Sequence, residues 1–383
     1  MTFNDLGITP ALVAALAKQN ITAPTAIQAA ACPLLLEGKD VYIRSETGTG
    51  KTLAYLLPLF CRIDPALAAT QVMILAPTHE LAIQIQRQSC DLAQNAALAI
   101  RTLLLIGGTA MDRQLDKLKK KPQVVVGSPG RLRELIALGK LKTRAITCVV
   151  IDEADQLLTT ESVESVRTIL SAIPAGRQLV FASATEQTEC ASVVTQLAPH
   201  VVRLNTGTQP VNANIAHSYL VCEERDKPDV LRKALHAMAP ERAIVFVHRD
   251  GTAETVAAKL AHHKIPVADL HGAFAKSERK QSMDDFRAGR VRVLIATDLA
   301  ARGLDIQGVT HIFNLDAPSQ SQAYLHRVGR TARAGAKGYA VSLLTEQEVR
   351  LVRRYETELG ITITPILLRD GRVCTRDEVI NHP

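Results

Sequence analysis

The segment Ser45-Glu46-Thr47-Gly48-Thr49-Gly50-Lys51-Thr52 joins small, conformationally free residues to a lysine and a hydroxyl. That combination suits a phosphate chain: backbone N–H groups of a glycine-bearing turn face the anion, and the helix that follows presents its positive N-terminal end. Gly48 and Gly50 permit backbone angles that a Cβ disfavours, Lys51 is long enough to reach β- and γ-phosphates, and the Thr52 hydroxyl can ligate Mg²⁺. Farther along, Ile151-Asp152-Glu153-Ala154-Asp155 ends an apolar run with carboxylates. Asp152 suits Mg²⁺, bound through water, and Glu153 suits the orientation or deprotonation of an attacking water. Phosphoryl transfer asks for positioning and charge neutralisation more than covalent help, so the two segments together imply nucleotide hydrolysis.

Particular elements must hold these groups. Residues 40–44 read as a short buried strand before the glycine-bearing turn, and 52–57 as a helix after it. Residues 147–151 form a continuous apolar run of the kind found in a parallel strand buried on both faces. Carboxylates at its C-terminal end then face the crevice where open α/β sheets bind ligands. Similar runs at 72–75, 102–106, 124–126 and 178–181 alternate with helical patterns, which predicts a mostly parallel α/β sheet. Turn-forming residues interrupt the alternation near 205–210, and it restarts with 243–247, 267–270, 293–296 and 311–315. The pattern predicts a first domain over 1–205, a linker over 206–213 and a second α/β domain over 214–383. The second half has no phosphate-binding turn, so the active site is expected in a cleft between the domains.

A chain of 383 residues with 47% apolar composition supports about two packed domains. No apolar run approaches the roughly 20 residues of a membrane span, and the start Met1-Thr2-Phe3-Asn4-Asp5 lacks a basic leader, so a cytoplasmic location is expected. Seven cysteines, odd in number and widely spaced, read as reduced thiols, and the histidines show no zinc-ligand spacing. The formal charge of +7 points only weakly to a polyanionic partner, and the cluster Lys117, Lys119, Lys120 and Lys121 reads as a solvated helix end. With aromatics at 3% and no Trp, a base-stacking platform is disfavoured, so a nucleic acid would be gripped by its backbone.

Taken in order, the motifs resemble those of the DEAD-box RNA helicases of superfamily 2, from Phe3 to about Gly338. The resemblance implies two tandem RecA-like domains, ATP and Mg²⁺ as cofactors, and RNA as partner. Pro24-Thr25-Ala26-Ile27-Gln28 with Phe3 looks like the Q motif, in which Gln28 would read the adenine edge and Phe3 would stack on the base; an amide can pair bidentately with adenine. Ser45, Glu46, Thr47, Gly48, Thr49, Gly50, Lys51 and Thr52 would cradle the phosphates, with Ser45 standing where Gly or Ala is usual. Ser183-Ala184-Thr185 matches the motif that, with Asp155 and His326, would couple hydrolysis to strand separation. Ala296 to Asp305 looks like motif V, in which Thr297 would touch RNA while Gly303 and Asp305 would meet the nucleotide. Tyr324 to Gly335 matches motif VI, whose Arg330 and Arg333 would act as arginine fingers on the γ-phosphate.

The RNA-facing motifs of the first half are present with changes. Thr78 and His79 lie in Pro77-Thr78-His79-Glu80-Leu81-Ala82, with His79 where Arg is usual; Gly107-Gly108 is intact; Pro129, Gly130 and Arg131 follow Ser128, which replaces Thr. Losing a guanidinium should remove one charge-assisted phosphate contact and part of the salt dependence. In the second half Ile244 to Arg249 departs from the usual motif IV, and Lys276 replaces a common Gln while Arg279 is retained. The resemblance implies RNA-stimulated ATP hydrolysis coupled to local, non-processive unwinding by a monomer, gripping phosphates and 2′-hydroxyls. Ribosomal precursors or RNA-turnover proteins are partners common in the family. An alternative is an ATP-gated RNA clamp or assembly scaffold that unwinds little. After Thr345 the sequence predicts one helix and a short strand at 361–363, without a further RNA-binding module.

Overall fold

The computed structural model describes residues 1–383 except 46–48, 160–161, 185–187, 206–211, 271–275, 302–305, 307, 333–334 and 376–383; of residues 276–280, 299 and 375 it describes the backbone alone. The chain divides into two compact units, residues 1–208 and 209–383.

In the first unit β1 (Val41–Arg44), β2 (Val72–Leu75), β3 (Thr102–Leu105), β4 (Val124–Gly127), β5 (Cys148–Asp152), β6 (Gln178–Ser183) and β7 (Val202–Asn205) form one sheet in the order β3-β4-β2-β5-β6-β1-β7. Every pairing in it is parallel. Helices follow the strands and cover both faces, which is why the strands read as continuous apolar runs rather than as alternating ones. The pleat still sorts them: Val150 packs into the core on one face, whereas Val149 and Ile151 pack into the core on the other. Because all strands run the same way, their carboxyl ends share one edge of the sheet, and the turns after β1, β2, β3, β4, β5 and β6 emerge there.

The second unit contains β8 (Ile215–Val221), β9 (Ala243–Val247), β10 (Val267–Leu270), β11 (Val293–Thr297), β12 (His311–Asn314), β13 (Gly338–Leu344), β14 (Ile363–Arg369) and β15 (Arg372–Thr375). Their order is β10-β11-β9-β12-β13-β8-β14-β15, parallel except for the terminal β14–β15 hairpin. Each expected strand run falls on a strand, though the one expected at 361–363 begins only at Ile363 and extends to Arg369. β7, β8, β13 and β15 were not signalled by the apolar runs. β7 and β8 mix polar residues into short segments, as in Val202-Arg203-Leu204-Asn205, and so carry no uninterrupted apolar signal.

Two histidines are built into this second sheet. His217 on β8 and His311 on β12 are each only 7% exposed. Burial holds both imidazoles neutral, lowering each pKa to about 4. His217 Nδ1 lies 2.8 Å from the Tyr324 hydroxyl, and the Tyr324 ring stacks on Tyr355 with centroids 4.5 Å apart. An unfolded histidine takes its proton near pH 6.5, so the folded-state stability of these groups is present above that pH and is lost as pH falls towards 4. Taking the unit from pH 7 to pH 5 is therefore expected to cost up to about 2 kcal/mol for each of them. Urea melts of the chain at the two pH values check this, and His217→Phe should flatten the dependence.

Candidate functional site

The glycine-bearing turn links β1 to the helix Lys51–Arg62. Gly50 caps that helix with φ 91° and ψ 21°, a left-handed backbone that favours glycine. Lys51 turns back and its ammonium donates to the Ser45 carbonyl. The Ser45 hydroxyl donates to Thr49 Oγ1 at 2.8 Å, and the Ser45 amide donates to the Ser183 carbonyl at 3.1 Å, pinning the turn to the end of β6. The hydroxyl bond to Thr49 is the one contact here that a glycine or alanine at the first position could not make. Glu46, Thr47 and Gly48 lie outside the described residues.

Gln28 sits directly against this turn. It is 2% exposed, and its side-chain carbonyl accepts from the Thr25 amide at 2.9 Å, closing a capping box at the start of the helix Ala26–Leu36. Its Nε2 donates to the Gly50 carbonyl at 3.2 Å. A Cβ on Gly50 would stand 2.4 Å from that Nε2. Gly50→Ala thus combines a forced left-handed backbone with displacement of Gln28. The expected result is a loss of about 1–3 kcal/mol of stability together with weakened nucleotide affinity, measured by thermal melts and by titration with a fluorescent nucleotide. Phe3 is 1% exposed and packs in the core cluster that includes Leu6, Ile27 and Leu35.

On the neighbouring side of β6, β5 delivers Asp152 to the same edge, where Asp152 pairs with Ala182 in register. Asp152 is 4% exposed and Asp155 is 8% exposed. The Tyr55 hydroxyl, on the helix that begins at Lys51, donates to Asp152 Oδ2 at 2.8 Å, and the Glu153 amide donates to Asp152 Oδ1 at 2.9 Å. Burial raises the Asp152 pKa, while the Tyr55 hydroxyl, the Lys51 charge and the Glu153 amide oppose that rise. Glu153 has φ 50° and ψ 52°, a left-handed backbone on a non-glycine residue, which costs on the order of 1–3 kcal/mol and redirects the chain at the strand end. Its Oε2 accepts from Gln156 Nε2 at 2.6 Å. Ser183, 1% exposed, closes β6 between the two segments; Thr185 lies outside the described residues. Tyr55 escaped the sequence reading because a tyrosine inside an apolar helix looks like core; the signal available was its position one turn after Lys51.

The other motifs of the first unit leave the same sheet edge. Thr78 caps the helix His79–Asn95, its hydroxyl accepting from the Leu81 amide at 3.2 Å. The His79 ring lies against the glycine loop: a Cβ on Gly107 would stand 3.7 Å from His79 Nε2. Gly108 follows with φ 66°. Gln114 was not singled out from sequence, yet its Nε2 donates to the Ile106 carbonyl at 3.0 Å and to the Thr109 hydroxyl, gripping the loop on both sides of the glycines. Pro129 opens the helix Pro129–Ala137 and Gly130 is exposed beside it, leaving that N-terminus approachable by an anion. The Arg131 side chain is 11% exposed, pairs with Glu134 at 3.1 Å and lies 3.5 Å from Met111 Sδ.

In the second unit Thr297 ends β11, and its hydroxyl accepts from the Ala300 amide at 3.3 Å, capping the short helix Asp298–Ala301. His326 lies on the helix Ser321–Val328, and Arg330 follows its end with its amide donating to the Arg327 carbonyl at 3.1 Å. Of the residues expected here, Gly303, Asp305 and Arg333 lie outside the described residues, and of Arg279 the backbone alone is described. Arg327 is the residue that sequence reasoning passed over: it is 1% exposed and pairs bidentately with Asp298, Nε to Oδ1 at 2.6 Å and Nη2 to Oδ2 at 2.7 Å.

Comparison with known proteins agrees with this arrangement of motifs. Residues 25–193 match the family described as DEAD/DEAH box helicase, and residues 226–335 match the helicase conserved C-terminal domain. The DEAD-box ATP-dependent RNA helicase CshC of Bacillus cereus is 41% identical over 342 residues, 89% of this chain and 87% of that protein. The probable ATP-dependent RNA helicase YfmL of Bacillus subtilis is 38% identical over 355 residues, 92% of this chain and 93% of that protein. Among solved structures, S. cerevisiae Dbp5 bound to RNA and ADP BeF3 superimposes with a TM-score of 0.85 at 31% identity, covering 95% of each chain. Each unit is accordingly a RecA-like domain, and the chain belongs to the DEAD-box ATP-dependent RNA helicase family.

Proposed function

We propose that this protein hydrolyses ATP in response to RNA and uses the cycle to separate short RNA duplexes or remodel RNA-protein assemblies. One observation carries the reading: the turn ending in Lys51, the Ser183 segment and the Asp152-Glu153 segment leave the adjacent parallel strands β1, β6 and β5 at one edge, tied by the Ser45–Ser183 and Tyr55–Asp152 hydrogen bonds. Backbone amides of the turn and the N-terminus of the helix at Lys51 would receive the phosphates, with the Lys51 ammonium leaving the Ser45 carbonyl for the β- and γ-phosphates. Gln28, already fixed by Thr25 and Gly50, would offer its remaining donor and acceptor capacity to adenine. Glu153 would orient the attacking water.

A divalent cation fits the donors present. The Thr52 hydroxyl and the Asp152 carboxylate are hard oxygens, and among the described residues no group of three or more His, Cys, Asp or Glu could hold a metal on its own. Mg²⁺ suits such a site because it keeps water ligands and takes others from the phosphates. Thr52 and Asp152 would hold it, and when bound it neutralises charge on the transferred phosphoryl group.

Thr78, His79, Gly107, Gly108, Pro129 and Gly130 lie on loops and helix starts at the same edge and would grip RNA phosphates, with Thr297 contributing from the second domain. Domain closure over ATP and RNA would bring Arg330 and Arg333 to the γ-phosphate and so make hydrolysis depend on RNA. The test is ATP turnover with and without matched RNA and DNA strands, alongside release of a labelled strand from a short RNA duplex. RNA-specific stimulation with ATP-dependent release is expected. Turnover indifferent to RNA overturns the reading, and analogue-dependent RNA retention without release replaces it with the clamp.

A further inference from the structure

Among the described residues of the second domain, a buried side-chain network centres on Arg327, a residue with no part in the chemistry assigned above. Besides its bidentate pair with Asp298, its Nη1 donates to Asn314 Oδ1 at 3.2 Å and to the Asp316 carbonyl at 2.6 Å, and its guanidinium carbon lies 5.0 Å from the centre of the Phe246 ring. Asn314 is itself buried and donates to the Ser342 hydroxyl at 3.2 Å, while Asp316 Oδ2 accepts from the His248 amide at 2.7 Å. One cation thus joins the ends of β9, β11 and β12. A planar fork with five donors can do this; an ammonium cannot.

The position of the two partners in the chain gives the network its meaning. Asp298 directly follows Thr297, the proposed RNA contact, and both belong to the one turn that the Thr297 hydroxyl caps. At the other end, the Arg327 carbonyl accepts from the Arg330 amide, so the residue that grips Asp298 also fixes the start of the segment carrying the finger. A buried charge left unpaired is strongly unfavourable, so a displacement of the Thr297-Asp298 turn has to be followed by Arg327 rather than absorbed.

We propose that the Arg327–Asp298 pair is a positioning device that couples RNA contact at Thr297 to the placement of Arg330. The proposal rests on the functional reading above. RNA that fixes the Thr297 turn fixes Asp298, hence Arg327, hence the backbone from which Arg330 projects. The contacts of the pair are to protein groups, and its contribution is to the RNA dependence of turnover.

A double-mutant cycle tests it in the full-length protein, with Arg327→Lys, Asp298→Asn and the combination, each assayed for kcat with and without saturating RNA, for RNA KM and for the melting temperature. The expected result is a ratio of RNA-stimulated to RNA-free turnover that falls about tenfold in each single variant and no further in the double. Binding of a fluorescent nucleotide in the absence of RNA should stay within about twofold of the parent, since the phosphate turn and Gln28 lie in the first domain, away from both substitutions. The proposal is overturned if folded variants keep the parent's RNA stimulation, if the two substitutions add, or if turnover drops equally with and without RNA in step with a lowered melting temperature. That last outcome assigns Arg327 to packing alone. A parent enzyme without RNA stimulation would instead refute the functional reading.

Discussion

Glu153→Gln is expected to bind ATP as the parent does and to hydrolyse it about a thousandfold more slowly, within the range lost when a general base is removed. The substitution is suited to the question because it preserves what holds the segment together. Glutamine keeps the side-chain length, its carbonyl can still accept from Gln156 Nε2, and the backbone amide still donates to Asp152 Oδ1. What disappears is the negative charge and the ability to take a proton from water. The left-handed backbone at residue 153 is unchanged in kind, so a fall in turnover cannot be assigned to a relaxed turn. Single-turnover hydrolysis at saturating Mg·ATP, paired with nucleotide titration, measures both quantities. Turnover within about threefold of the parent would remove Glu153 from the reaction and leave Asp152 as the remaining carboxylate at the strand end.

Arg330→Ala should be comparably damaging, though only in the presence of RNA. Arginine fingers account for about 10³–10⁵ in turnover where they stabilise charge on a transferred phosphoryl group, so RNA-stimulated kcat is expected to fall by about 10³. RNA-free turnover, which does not draw on the finger, should change far less. Arg330→Lys is expected to rescue poorly, because a point charge on a flexible stem does not reproduce the bidentate fork. Both variants leave the helix Ser321–Val328 intact, since the backbone amide of residue 330 still donates to the Arg327 carbonyl. Equal losses with and without RNA would place Arg330 in the fold rather than in an RNA-dependent step.

Much of the site was legible in the sequence because its chemistry lies in contiguous strings. The phosphate turn, the acidic segment and motif VI each carry their meaning within a dozen residues, and the apolar runs before the first two place them at strand ends. The architecture was legible for the same local reason: a strand covered on both faces must be apolar throughout, as Cys148-Val149-Val150-Ile151 is. The missed strands show the limit. Val202-Arg203-Leu204-Asn205 is the edge strand β7, half exposed, and its residues do not distinguish it from a loop.

What the sequence by itself determined is therefore the set of candidate reacting groups, the two-sheet α/β plan and the family to which the chain belongs. What only the tertiary structure decided is which residues hold those groups, because such partners come from far along the chain and look ordinary where they stand. Tyr55 finds Asp152, Gln28 finds Gly50, and Arg327 finds Asp298. Each is a buried polar group whose hydrogen bonds must be satisfied by whatever the fold brings near, and that proximity is set by strand order rather than by sequence distance. The same packing placed Phe3 in the core, a contact that no motif spells out.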